Sequence, residues 1–132
     1  MAEYLLLVNE SKREFVHPFN LGSGQKSGEI TDFRMPGGPT DALWHLLWPP
    51  MPGDQSYEPV DRIGDQVHGR WVGDKVRIVS DYAEPETYQA VLQEWAEISH
   101  IIRPVLAWWC GVIYEQRDGS DYWYRREDPD HA

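Results

Sequence analysis

The chain opens on an apolar run, Tyr4-Leu-Leu-Leu-Val8, followed by the polar Asn9-Glu-Ser-Lys-Arg13 and then by Glu14-Phe-Val16. Short runs of aliphatic, branched and aromatic residues separated by turn formers predict two strands and a connecting turn. His17-Pro18 ends the second strand, because proline has no N–H for a ladder and holds the residue before it extended. Leu21 to Gly28 is glycine-rich and reads as a loop, with Glu29 to Phe33 running on into Met35-Pro-Gly-Gly-Pro39. Thr40-Asp41 suits an N-cap for a short helix over Ala42 to Trp48. That helix is apolar nearly all round, so burial on most sides is expected. Pro49-Pro50 stops it. From 49 to 61 the chain is rich in proline, glycine and acidic residues and reads as a long surface loop, a length that usually signals function or disorder.

His68 to Tyr82 predicts a β-hairpin. Gly73-Asp74 suits a type II′ turn, which sets Trp71 opposite Val76 and Arg70 opposite Arg77. Trp71, Val76 and Ile78 then face the core, and His68, Arg70, Lys75 and Arg77 share the other face. Glu84-Pro85-Glu86 opens a helix, since proline and acids fit its first turn. Tyr88, Val91, Leu92, Trp95, Ile98, Ser99 and Ile102 continue it at helical spacing. Pro104 should break or kink it near Ile102, leaving Val105 to Tyr114 as a second helix or a helix ending in a strand, with Trp108-Trp109-Cys110 in the core. Asp118-Gly119 is a turn and Tyr122 to Tyr124 a final edge strand. The element order predicts an α+β fold, an antiparallel sheet with two or three packed helices, as one domain over 1–124 with a frayed tail over 125–132.

Composition narrows the function classes. At 132 residues, 26% charged and 41% hydrophobic, the chain is long enough for one core and is neither disordered nor membranous in type. No apolar run reaches the roughly 20 residues of a membrane span, and the first residues lack the basic region of a signal peptide. The lone Cys110 has no internal disulfide partner, which fits a reducing cytoplasm. A formal charge of −10 disfavours nucleic-acid binding and favours a protein partner with a basic surface. Seven Trp and seven Tyr are many for this length, and such rings are enriched at interfaces as well as in cores.

Gly69-Arg-Trp-Val-Gly-Asp-Lys-Val-Arg-Ile-Val-Ser-Asp-Tyr82, with Glu14-Phe-Val-His-Pro18 and Leu21-Gly-Ser-Gly-Gln-Lys26 upstream, resembles a family of small prokaryotic proteins. The resemblance covers segments within 4–33 and 68–100. It implies a self-standing cytosolic domain and carries no chemistry with it.

Among candidate sites, the positive face of His68, Arg70, Lys75 and Arg77 is suited to an anion, since guanidinium forks bind carboxylate or phosphate bidentately. The alternative is that neighbouring carboxylates neutralise it. The glycine-rich loop departs from a phosphate loop, because Gln25 stands where glycine must precede Lys26-Ser27. His17, His45, His68 and His100 show no metal-site spacing, so no metal and no cofactor is called. His45 reads as a hydrogen-bonded core residue, and His100 is expected near a helix C-terminus. Cys110 follows two tryptophans in an apolar run and reads as structural. No catalytic residue stands out, and whether the chain is an enzyme is left open, leaning against. The leading reading is a small acidic protein-binding domain acting by surface occlusion, as an inhibitor or an immunity or defence protein would. Its contact residues are Trp48, Met51, Asp54, Tyr57, Glu58 and Asp61. The alternative is a small-ligand protein or enzyme built on the Arg70/Arg77 face. Oligomeric state stays open.

Overall fold

Leu5-Leu-Leu-Val-Asn9 forms β1, and its unbroken apolar run reflects burial on both faces. The computed structural model describes residues 3–32, 34–49 and 66–131. β1 pairs antiparallel with β2 (Glu14–Val16) on one side and with β3 (Val76–Ser80) on the other. A two-residue strand, β4 (Ala96–Glu97), adds in parallel to β2, giving the order β3-β1-β2-β4. A second, two-stranded antiparallel ribbon joins β5 (Val112–Gln116) to β6 (Trp123–Glu127). Among the described residues the α-helices are α1 (Ser27–Ile30), α2 (Pro39–Leu46), α3 (Pro85–Glu94) and α4 (Ser99–Cys110). The fold is α+β, antiparallel except at the β4 edge.

The side-chain alternation of β1 divides the core in two. Leu6 and Val8, with Phe15 and Val79, pack under Tyr88 and Val91 of α3. Leu7 faces the other way, with Val16, Leu46, Trp71, Ile102 and Leu106. Burying each of these side chains is worth about 1.5–3 kcal/mol. The chain must therefore pass from one face of the sheet to the other, and it does so at β4.

That crossing corrects the expected helix over 84–102. α3 ends at Glu94, Trp95 turns extended (ψ 156°), and the backbone donors switch to β2: Ala96 N–H to Arg13 O at 2.9 Å and Ile98 N–H to Phe15 O at 3.0 Å. Glu97 then serves the next helix, its Oε1 accepting from Ser99 N–H (3.0 Å) and from His17 N–H (3.3 Å). Pro104 does not break the chain's helix but lies inside α4. The hydrogen bond it forfeits is to His100, and both residues are exposed, so water can serve the orphaned carbonyl. His100 lies near the α4 N-terminus, not near a C-terminus.

The expected hairpin is corrected too. Residues 66–74 form successive turns, with Arg70 N–H to Val67 O, Val72 N–H to Gly69 O and Asp74 N–H to Trp71 O, while β3 takes β1 as its partner. Trp71 is fully buried, as expected, but Ile78 is 56% exposed at the sheet edge. In place of the expected loop at Glu29, one helical turn forms, with Lys26 N–H bonded to the Glu29 carboxylate at 3.2 Å. α2 starts at Pro39 rather than after Asp41, and the Asp41 carboxylate accepts Gly37 N–H at 2.6 Å. β6 carries Arg125 to Glu127, so the tail expected from 125 begins inside a strand.

Gly22 caps the 3-10 turn Pro18–Leu21 with φ +67°, and a Cβ there would lie 2.9 Å from the backbone nitrogen of Arg125. Neither the dihedral nor a backbone atom yields cheaply. Gly22→Ala should therefore cost about 2 kcal/mol or more, seen as a lower urea midpoint with an unchanged slope. An unchanged midpoint would mean that this junction gives freely.

Candidate functional site

α2 is built from eight residues, Pro-Thr-Asp-Ala-Leu-Trp-His-Leu, with almost no polar face. Ala42, His45 and Leu46 turn inward and are buried. At 3.6 residues per turn, Thr40, Leu43, Trp44, Leu47 and Trp48 fall on the other side. Trp44 is 71% exposed and Leu47 is 42% exposed, contrary to the burial expected from an all-apolar helix. With Pro49 these residues line an apolar hollow of about 660 Å³.

Beside this hollow, four rings of the described residues cluster. His45 and His68 stack at 5.0 Å with an interplanar angle of 18°, and their Nδ1 and Nε2 atoms are 3.0 Å apart. Trp48 sits 5.3 Å from His45 and 5.0 Å from His68. Trp109 of α4 closes the group, 5.2 Å from Trp48 and 5.8 Å from each histidine. The short His–His contact requires a proton on one nitrogen and a lone pair on the other. Burial, with the neighbouring His68 adding to it and Asp41 opposing, pushes His45 down to about 4. The pair ties the C-terminal turn of α2 to the turn segment, reinforced by Gly69 N–H to His45 O (3.1 Å) and Trp71 N–H to Leu46 O (2.9 Å).

Trp48 is thus a rim residue of the hollow and a member of the ring cluster. Met51, Asp54, Tyr57, Glu58 and Asp61 lie outside the described residues. Sequence reasoning missed Trp44, Leu47 and Trp109; the spacing of Trp44 and Trp48 one turn apart was the available signal.

The four residues of the expected anion face are not brought together. His68 belongs to the ring cluster. Arg70 forks onto buried Glu14, its Nε donating to Oε1 at 3.0 Å and its Nη2 to Oε2, and the Trp71 indole N–H also donates to Oε1 at 3.0 Å. Burial alone would raise the Glu14 carboxyl; the hydrogen bonds from Arg70 and Trp71 outweigh it and hold the group below its ordinary value. Arg77 is clasped between Glu84 (2.6 Å) and Glu10, and its pKa is raised, first by Glu84 and then by Glu10. Lys75 pairs with Glu10 at 3.0 Å. An anion entering here has to displace a carboxylate already bonded.

The remaining candidates are as quiet. The open side of Gly24 is occupied by the Glu29 carboxylate, so the glycine-rich loop presents negative charge. Burial pushes the Cys110 thiol up to about 11, with Asp41 adding and Gly37 N–H opposing, which keeps it protonated at neutral pH. Among the described residues, no group of three or more His, Cys, Asp or Glu gathers as metal ligands, and no helix is long and apolar enough to cross a membrane.

No protein-family model matches this chain, and no curated protein or solved structure matches it either.

Proposed function

We propose that this chain is a protein-binding domain that acts by covering part of a partner's surface, as an inhibitor or an immunity or defence protein does, and that it docks through the outer face of α2. The observation that carries this reading is Trp44, an indole 71% exposed beside Leu47 on a helix whose opposite side is core. Such exposed aromatic–aliphatic patches mark contact surfaces, and tryptophan is enriched among the residues that dominate binding energy. A net charge of −10 favours a basic partner, since complementary charge speeds encounter more than it tightens the complex. The cytoplasm and a prokaryotic source, which the Gly69–Tyr82 resemblance implies, belong to the same proposal. The alternative anion-binding reading is less favoured, because Arg70 and Arg77 already hold carboxylates.

The test is affinity capture from source lysate, comparing the wild-type chain with the double variant Trp44→Ser/Leu47→Ser. Both positions are exposed, so folding should change by only about 0.5 kcal/mol. A stoichiometric partner is expected, with Kd weakened by at least about 30-fold in the variant. Charge reversal at Asp54, Glu58 and Asp61 should slow association with that partner. A partner whose Kd ignores the double variant, or no partner at all, would overturn the reading.

A further inference from the structure

A second hollow, of about 1060 Å³, runs between α4 and the β5–β6 ribbon. One wall is the helical stripe His100, Arg103, Pro104, Ala107 and Trp108, and the other includes Trp123 and the segment after β6. Its charges are separated end to end. Near the start of α4, the Arg103 guanidinium lies 3.8 Å above the Trp123 ring and donates to Asn20 O at 2.9 Å; Glu97 acts on it only at longer range, and among the described residues it forms no direct ion pair. At the far end, Asp128 N–H bonds Gly111 O at 2.8 Å, which docks the last residues beside the α4 C-terminus. There, among the described residues, the Asp128 carboxylate accepts only Asp130 N–H (2.9 Å), and the exposed Asp130 carboxylate has no partner. Between the ends stands Trp108, 53% exposed.

Arg103 and Gly111 are about 12 Å apart along the helix at about 1.5 Å per residue. Extended chain covers that span in roughly four residues at about 3.3 Å each. We propose that this groove seats an extended peptide segment of the protein partner, with an acidic side chain at the Arg103 end and a basic one about four residues away at the Asp130 end. This rests on the protein-binding reading and adds a second contact surface to it. The argument is charge complementarity: a guanidinium and a carboxylate, neither in a direct ion pair among the described residues, stand at opposite ends of an aromatic trough. Trp108 gives the incoming cation a ring face, and stacking leaves the edge of Arg103 open to a carboxylate. His100 and His131 also line the groove, so all variants are compared at one fixed pH of about 7.5.

The probes are two blocked peptides, acetyl-Glu-Gly-Tyr-Gly-Arg-amide and its reverse order, titrated into the full chain and followed by amide and indole NMR shifts. One order is expected to bind and to move the indole signals of Trp108 and Trp123. Arg103→Gln should weaken that peptide by about 5-fold but leave its Glu→Gln analogue unaffected, and Asp130→Asn should do the same for the Arg→Gln analogue. Should Arg103→Gln not fold, Asp130→Asn and Trp108→Ala, both at exposed positions, still decide. Shifts absent in both orders at millimolar peptide, or affinities indifferent to these variants, would overturn the inference. Trp44→Ser/Leu47→Ser should leave peptide binding intact, so failure of this groove and failure of the α2 surface are read separately.

Discussion

Glu14→Ala should destabilise the domain by about 3 kcal/mol, more than any single surface change, although the residue has no place in either proposed contact surface. The carboxylate is buried in β2 and accepts the fork of Arg70 and the indole N–H of Trp71. Truncation strands a fully buried indole donor and a guanidinium that, among the described residues, keeps only Gln66 O, at 3.1 Å. The Arg70 side chain is 30% exposed, so water recovers part of the loss, which sets the figure at the lower end of what breaking a buried pair costs. Removing both charges together is a different matter. Glu14→Leu/Arg70→Met eliminates the unpaired charge and leaves only the Trp71 donor orphaned, so it should cost markedly less than the sum of the single changes. Urea unfolding of Glu14→Leu, Arg70→Met and the double gives this coupling directly. Additive losses would mean that Glu14 and Arg70 do not act as a unit.

The same contacts explain why the turn segment was misread. Val, Ile, Trp and a Gly-Asp pair carry real strand and hairpin propensity, but propensity is a weak term beside a buried Glu14 that draws Arg70 and Trp71 toward β2. Nothing local in 66–74 announces a carboxylate more than fifty residues upstream. The long helical pattern failed for a related reason. Trp95, Ile98 and Ile102 keep helical spacing, yet Trp95 packs beneath one face of the sheet and Ile98 and Ile102 beneath the other. Periodicity reports that residues are buried, not against which layer. Where local and tertiary signals agree, the sequence is legible: the apolar β1, the start of α3 at Pro85, the Asp118-Gly119 turn and the α+β class. The candidate surface was only half legible. Trp48 drew notice beside the acidic stretch, but an all-apolar helix looks alike from every side, and only the packed structure shows that Trp44 and Leu47 are the pair left uncovered.

The ring cluster beneath that surface makes stability depend on pH between about 4 and 6.5. His45 titrates near 4 in the folded chain, against about 6.5 when unfolded, because burial and then His68 disfavour its charged form. Over this window the unfolded state binds a proton that the folded state refuses, so stability rises with pH by about 1.4 kcal/mol per unit. The contribution is fully present above 6.5, falls as pH drops below it and is gone below about 4, a total of about 3 kcal/mol. His17, pushed down by burial against the pull of Glu97, adds to the slope with the same sign. The carboxylates of Glu10, Glu14 and Asp74, held low by their cationic neighbours, act at more acid pH, below about 4.5. Between 4.5 and 6.5 the histidines therefore dominate. His45→Gln keeps a hydrogen-bonding group beside His68 but cannot titrate, so it should flatten the slope while lowering stability at pH 7.5. Urea midpoints of both proteins at half-unit steps from pH 4.5 to 7.5 make the comparison. Parallel curves would place the proton uptake elsewhere and leave the stacked pair with a packing role alone.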